Sequence, residues 1–173
     1  DEKSIEIDNY IVYIMKEQKI PGLALAITHK GKVLKKKTYG LASIEYNVAV
    51  TDSSSFWLAS VSKHFTATAI MQLYEKGILD LDDEIHKHLP DAPNNWRGVT
   101  IRHLLTHTSG LPISRNASAW SNRSAKGTYT AKQIYENSKK DTLVFKPGED
   151  FRYSDEGTYL LGYIVHKISG LSF

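Results

Sequence analysis

The apolar positions along the chain set the first structural expectations. Between Ile5 and Lys19 they fall at Ile5, Ile7, Ile11, Val12, Ile14 and Met15, a mainly helical spacing that stops at Pro21-Gly22. This spacing predicts an amphipathic first helix. Two strand-like runs follow, Leu23 to Thr28 and Val33 to Tyr39, joined by His29-Lys30-Gly31-Lys32, and together they predict a β-hairpin. Lysines flank the second run, as expected for an edge or half-exposed strand. After a Thr51-Asp52-Ser53-Ser54-Ser55 loop, Val61 to Lys76 is helical in pattern, apolar on most sides and closed by Gly77, which predicts a buried helix.

An acidic turn at Asp80 to Glu84, a Pro-Asp-Ala-Pro loop at 90–93 and a short helix from Thr100 carrying Ile101, Leu104 and Leu105 come next. Residues 109–129, rich in Ser, Asn, Gly and Arg, read as a long surface loop of the length that usually serves function. Thr130 and Gln133 make a capping box for a helix to about Lys139. Lys146-Pro147-Gly148 is a turn, and a last helix runs from about Asp155 to Ile168 and ends at Gly170. Without repeats or an obvious linker, the 173 residues predict one ordinary domain.

Composition narrows the function classes. At 41% hydrophobic and 24% charged residues the chain is average for a folded protein. The net charge of +3 is mildly basic, but the lysines are dispersed apart from Lys35, Lys36 and Lys37, so no nucleic-acid partner is expected. No apolar run approaches the roughly 20 residues of a membrane span. The absence of cysteine removes disulfides, thiolate metal sites and a Cys nucleophile. The chain opens at Asp1 without Met or a signal-like apolar core, which fits either an exported and processed protein or a trimmed chain; export, periplasmic or extracellular, is the expectation.

Two constellations could carry chemistry. Ser60-Val61-Ser62-Lys63 opens the apolar helix, and residues three apart share a helix face, so the Lys63 amine can reach the Ser60 hydroxyl. A nucleophilic serine needs such a base, and burial of Lys63 would lower its pKa toward one. The bland alternative makes Ser60 an N-cap and Lys63 a first-turn residue reaching for water. The second constellation is Phe151-Arg152-Tyr153-Ser154-Asp155, ahead of the last helix. A tyrosine beside a lysine is a candidate general base, because an ammonium favours the phenolate. Its alternative is a core aromatic, with Asp155 as N-cap.

Taken together these residues carry a resemblance. Phe56-Trp57-Leu58-Ala59-Ser60-Val61-Ser62-Lys63 resembles the S-x-x-K motif of the serine β-lactamase-like superfamily, class C branch, which includes class C β-lactamases, penicillin-binding carboxypeptidases and esterases. Leu104-Leu105-Thr106-His107-Thr108-Ser109-Gly110-Leu111-Pro112 is similar to its L-L-x-H-T-S-G segment, and Tyr153-Ser154-Asp155 stands in the place of its Y-x-N motif. Three matches in order are far more specific than one.

The resemblance implies an α+β fold, with a helical region packed on an antiparallel sheet of which only the first hairpin is present here. Residues 1–173 would then be the N-terminal part of a single β-lactamase-like domain. It also implies an acyl-enzyme at Ser60, proton transfers shared by Lys63 and Tyr153, and substrate contact at Asp155, acting on a small-molecule or peptide amide, β-lactam or ester without a metal or organic cofactor. Asp155 replaces the usual Asn. It offers no N–H donor to a β-lactam side-chain amide, which shifts the expectation toward an esterase, and its charge should keep Lys63 protonated.

The family's third motif, Lys-Thr-Gly or His-x-Gly on a later strand, has no counterpart in place. His29-Lys30-Gly31 falls in the first hairpin, and Lys126-Gly127-Thr128 has the wrong order. That strand would supply an oxyanion-hole N–H, so a complementary C-terminal segment of the same protein is the expected partner. Two alternatives stand beside the hydrolase: a penicillin-recognising sensor that acylates but turns over poorly, and a half-protein inactive without its complement.

Other candidates are weaker. His103 and His107 have a zinc-helix spacing but lack the accompanying Glu, so His107 is expected to be a structural hydrogen-bonding residue, and His86 and His88 are near only in sequence. Asp80 to Glu84 lacks the glycine and terminal Glu of an EF-hand. Trp120 and Tyr129, in the long loop, could line a cleft.

Overall fold

A computed structural model describes residues 2–112 and 130–171. The chain divides into two compact units, residues 1–57 and 58–173. The expectations placed on residues 113–129, including most of the long loop with Trp120, Tyr129 and the Lys126-Gly127-Thr128 run, lie outside the described residues.

The first unit holds helix α1 (Glu2–Glu17) and the strands β1 (Gly22–His29), β2 (Lys32–Ser43) and β3 (Val48–Ala49). They form an antiparallel sheet in the order β1-β2-β3. The hairpin turns on two residues, Lys30 and Gly31, with φ of 48° and 75°. Two successive positive φ angles match the right-handed twist of the flanking strands, which is why the turn needs only two residues and not four. A short third strand adds to the expected hairpin: Leu41 pairs with Ala49 and Ser43 with Val48.

Ser4, Ile7, Asp8, Ile11, Ile14 and Met15 form the half-buried stripe of α1 at helical spacing, while Ile5, Tyr10, Val12 and Tyr13 remain exposed. Asp8 fastens this helix to β2. Its carboxylate meets Lys35 at 2.7 Å, Lys37 at 2.5 Å and the Tyr39 hydroxyl at 2.6 Å, all on alternate positions of one strand face. Hydrogen bonds from those groups hold the Asp8 carboxyl well below the ordinary range, and burial together with Asp8 pushes the Tyr39 phenol up to about 12. The remaining lysine of the run, Lys36, pairs with Asp52 at 2.9 Å. The basic run is therefore neutralised inside its own unit.

The second unit is helical: α2 (Ser62–Glu75), α3 (Ile101–Leu105), α4 (Ala131–Ser138) and α5 (Asp155–Ser169), with 3-10 turns at Ala59–Val61, Ile85–Lys87 and Asn94–Trp96. Helix α5 is the hub, packing against α2, α3 and α4. It buries Leu160, Leu161, Tyr163, Ile164 and Val165 in a cluster with Ile70, Ile85, Leu89, Trp96, Val99, Ile101 and Leu104. Trp96 is fully buried and its indole N–H donates to the Asp141 carbonyl at 3.0 Å, which satisfies the one polar atom that burial would strand.

The caps follow the sequence signals. Thr100 and Thr130 each form a capping box, with His103 and Gln133 respectively. Gly170 closes α5 in the left-handed region.

Helix α2 departs from expectation. Only Thr66 and Ile70 are buried, whereas Phe65, Met71 and Tyr74 are exposed. The apolar pattern ran round most of the helix, but among the described residues its main packing partner is α5. The N-cap of α5 also differs, because Ser154, not Asp155, accepts the Gly157 N–H at 3.2 Å. Asp155 is thereby left in the first turn with its carboxylate free for another task.

Since Leu160 and Ile164 sit at the centre of the helical cluster, Leu160→Ala should lower the unfolding free energy by about 2–5 kcal/mol, measured by urea titration followed through Trp fluorescence.

Candidate active site

The backbone bends sharply just before α2. Ala59 adopts φ of 47°, a left-handed conformation that costs a non-glycine residue of order 1–3 kcal/mol, and strain of this kind gathers at functional sites. The bend leads into the 3-10 turn that delivers Ser60, exposed, at the head of α2. Three residues on, Lys63 is carried round one helical turn to the same face, and its Nζ donates to Ser60 Oγ at 3.2 Å.

Tyr153 reaches the same oxygen from 93 residues away, its hydroxyl 2.8 Å from Ser60 Oγ. A backbone ladder puts it there. The Arg152 N–H donates to the His107 carbonyl, the Gly148 N–H to the Thr108 carbonyl and the Val144 N–H to the Gly110 carbonyl, each at 2.8 Å. Gly110 is required in this ladder: at φ of 80°, a Cβ would lie 2.2 Å from the Phe145 carbonyl oxygen. The Lys146-Pro147-Gly148 turn closes with a Glu149 N–H to Lys146 carbonyl bond of 3.0 Å.

The electrostatics centre on Lys63. Its Nζ lies 2.5 Å from Asp155 Oδ1 and 4.9 Å from the centroid of the Tyr153 ring. Burial pulls the Lys63 pKa down, but hydrogen bonding and charge from Asp155 and Tyr153 outweigh it, and the net direction is up. Of the two sequence expectations for Lys63, the one built on Asp155 therefore holds, and the lowering by burial alone does not. Lys63 is an ammonium at neutral pH.

His107 completes the group. It has φ of 59°, its ring lies 4.7 Å from the Tyr153 ring, and its Nδ1 accepts the Ser154 N–H at 3.3 Å. Burial lowers its pKa, the Lys63 charge lowers it further, and Asp155 opposes both. With Nδ1 occupied by a donor, the neutral ring carries its proton on Nε2.

All four residues singled out by sequence thus lie together: Ser60, Lys63 and Tyr153 line one cavity of about 320 Å³, and Asp155 braces Lys63 at its side. Sequence reasoning gave His107 only a structural role, yet it lines the cavity. It also missed His64 and Ala67, which share the cavity wall with Ser60 and Lys63. Their helical phase held the signal, since positions 60, 63, 64 and 67 fall on one stripe. Leu104 and Leu161 supply apolar wall from α3 and α5.

The other histidines weighed as metal ligands, His86, His88 and His103, are individually engaged. His103 accepts the Thr100 N–H in the capping box, His88 pairs with Asp83 at 3.0 Å and His86 contacts the Pro93 carbonyl at 3.2 Å. Asp83 is itself held down to about 2: burial pushes it up, but hydrogen bonds from the Asp80 backbone, Lys87 and His88 prevail. Among the described residues no three His, Asp or Glu gather to hold a metal ion.

His107 is easier to protonate in the unfolded chain than in the folded one, so stability should fall as pH drops below about 6.5 and be unaffected by this group above it. Nitrogen NMR should show the Nε2–H form at pH 7 and a titration midpoint below 6.5. Replacing Asp155 with Asn should lower the Lys63 pKa, read by NMR titration of the lysine side chain.

Comparison with known proteins bears on this geometry. The family model described as Beta-lactamase matches residues 7–173. Penicillin-binding protein 4* of Bacillus subtilis (strain 168) is 38% identical over 147 residues, 83% of this chain and 32% of that protein. The octameric penicillin-binding protein homologue from Pyrococcus abyssi superposes with a TM-score of 0.78 at 35% identity, over 96% of this chain and 39% of that one. EstCE1, a hydrolase with promiscuous acyltransferase activity, superposes with a TM-score of 0.80 at 27% identity, over 98% of this chain and 48% of that one. The chain spans about a third of the length of the curated relatives it matches.

Proposed function

The chain belongs to the Beta-lactamase family, within a superfamily of serine hydrolases, and on that footing we propose that it carries the acylating residues of a serine hydrolase acting on an ester, amide or β-lactam. The observation that carries the proposal is the convergence of two polar groups on one hydroxyl: Lys63 Nζ at 3.2 Å and Tyr153 Oη at 2.8 Å from Ser60 Oγ. Both distances satisfy the hydrogen-bond reach that proton transfer requires.

Asp155 decides the division of labour. Because it holds Lys63 as an ammonium, Lys63 has no lone pair with which to take a proton; Tyr153 acts as the phenolate, the form that the ammonium beside it favours, and takes the Ser60 proton as Ser60 Oγ bonds to the substrate carbonyl carbon. The same phenol then gives the proton to the departing oxygen or nitrogen when the acyl–leaving-group bond breaks, leaving the acyl-enzyme. Lys63 stabilises the negative charge that develops on the oxygens around it. Water later hydrolyses the acyl-enzyme by the reverse proton route.

Asp155 also bears on substrate class. Its carboxylate presents no N–H to an amide carbonyl, which favours a simple ester over a substrate read through a side-chain amide. EstCE1, a hydrolase with promiscuous acyltransferase activity, is consistent with acyl transfer as the reaction class. A complementary C-terminal segment of the same protein is the partner that completes the sheet and the oxyanion hole, consistent with the one-third share of the relatives' length spanned here.

The penicillin-binding names among the relatives favour one alternative, a sensor acylated at Ser60 that deacylates slowly. The full-length protein should hydrolyse p-nitrophenyl acetate repeatedly, and Ser60→Ala and Tyr153→Phe should each reduce kcat/KM by about 10²-fold or more. A stable one-to-one adduct with fluorescent penicillin and no ester turnover would support the sensor. Full activity in Ser60→Ala would refute both.

A further inference from the structure

Besides Lys63, which also reaches Ser60, one further neighbour bears on the place of Tyr153. Tyr153 is more than two-fifths exposed, so burial alone does little to fix the angle of its ring. What contacts it is His107, with ring centroids 4.7 Å apart and planes inclined at 38°. The same residue binds both flanks of the tyrosine: the His107 carbonyl accepts the Arg152 N–H at 2.8 Å, and Nδ1 accepts the Ser154 N–H at 3.3 Å. One residue therefore grips the backbone on either side of Tyr153 and braces its ring.

His107 adopts φ of 59° to do this, a conformation that non-glycine residues take up rarely, although Asn, Asp and His do so more often than the rest. A glycine would relieve that strain but would have no acceptor for the Ser154 N–H and no ring for the tyrosine. Ser154 is itself the N-cap of α5 and is buried, so its N–H depends on His107 for its acceptor. The clamp also has a charge requirement. Nδ1 can accept only in the neutral ring, and the groups facing it, Lys63 from α2 and Asp155 from α5, act on its proton affinity in opposite directions, with burial and Lys63 prevailing.

We propose that His107 is a positioning residue whose unprotonated Nδ1, main-chain carbonyl and ring face together aim the Tyr153 phenol at Ser60 Oγ. The proposal rests on the reading of Ser60 and Tyr153 given above. His107 does not itself touch the reacting atoms; it works through the tyrosine. Displacing a catalytic group by about an ångström costs roughly 10²-fold, which sets the expected effect.

The test is a double-mutant cycle in the full-length protein, read as kcat/KM for p-nitrophenyl acetate. His107→Ala should lower the rate by about 10²-fold in the wild-type background, yet by less than about twofold once Tyr153 is Phe, since there is then no phenol to aim. His107→Asn places an amide oxygen where Nδ1 stands and tolerates the positive φ, so it should recover activity to within about tenfold of wild type. His107→Gln carries its oxygen past that position and should not. If His107→Ala does not fold, the contrast between Asn and Gln reads the same property.

An equal loss from His107→Ala in both backgrounds would overturn the proposal, because a general structural defect acts whether or not the phenol is present. Equal rates in the Asn and Gln variants would overturn it too. Loss of the Ser60 dependence is a separate result, which removes the hydrolase reading beneath it.

Discussion

The site depends on the backbone pairing of two segments distant in sequence. Residues 107–110 and 144–152 exchange three main-chain hydrogen bonds of 2.8 Å, and these bring the 153 phenol to the serine at the head of α2. Neither segment is a strand of the sheet, so neither could acquire this register from strand alternation. It comes instead from glycines that allow close approach, Gly110 above all, and from the anchoring of both segments on α3 and α5. Once the ladder forms, the position of Tyr153 follows from covalent geometry. The distance from Tyr153 to Ser60 is then a property of the helical unit as a whole.

Charge is arranged with equal economy. The cavity wall brings one cation, Lys63, and Asp155 beside it supplies one anion that offsets it. On the proposed reading, the pair leaves Tyr153 as the group that exchanges a proton with Ser60. Asp at position 155, where the resemblance expects Asn, sets a negative charge beside the lysine that an amide of the same length would not. The histidine against the phenol is held toward its neutral form by burial and by that same lysine, with Asp155 opposing both.

The first unit follows the same rule, in which a carboxylate organises several cations. Asp8 gathers Lys35 and Lys37, and Asp52 takes Lys36, turning a lysine run into the means of holding α1 to β2. A run of like charge on a strand can therefore be structural when alternate residues face a helix bearing one acid. The exposed apolar side chains of α1 and α2 have no such explanation within their own units.

Much of this was legible in the residue order. Helix starts were marked by Thr100 and Thr130 with their partners three residues on, helix ends by Gly77 and Gly170, and the hairpin by Lys30-Gly31, because these signals act over distances of a few residues where local physics decides. The Ser60 and Lys63 contact was legible for the same reason, being a matter of one helical turn.

What tertiary structure alone decided lies beyond that range. Burial of α2 on a single stripe, the choice of Ser154 over Asp155 as the cap, and the grip of His107 on both flanks of Tyr153 all depend on which surfaces meet, and a pattern of letters does not specify its own partners. The sequence by itself determined the elements and the residue types available for chemistry. Packing around α5 and the ladder across residues 107–152 determined which of them touch, since a contact spanning ninety positions exists only after the chain between its ends has folded.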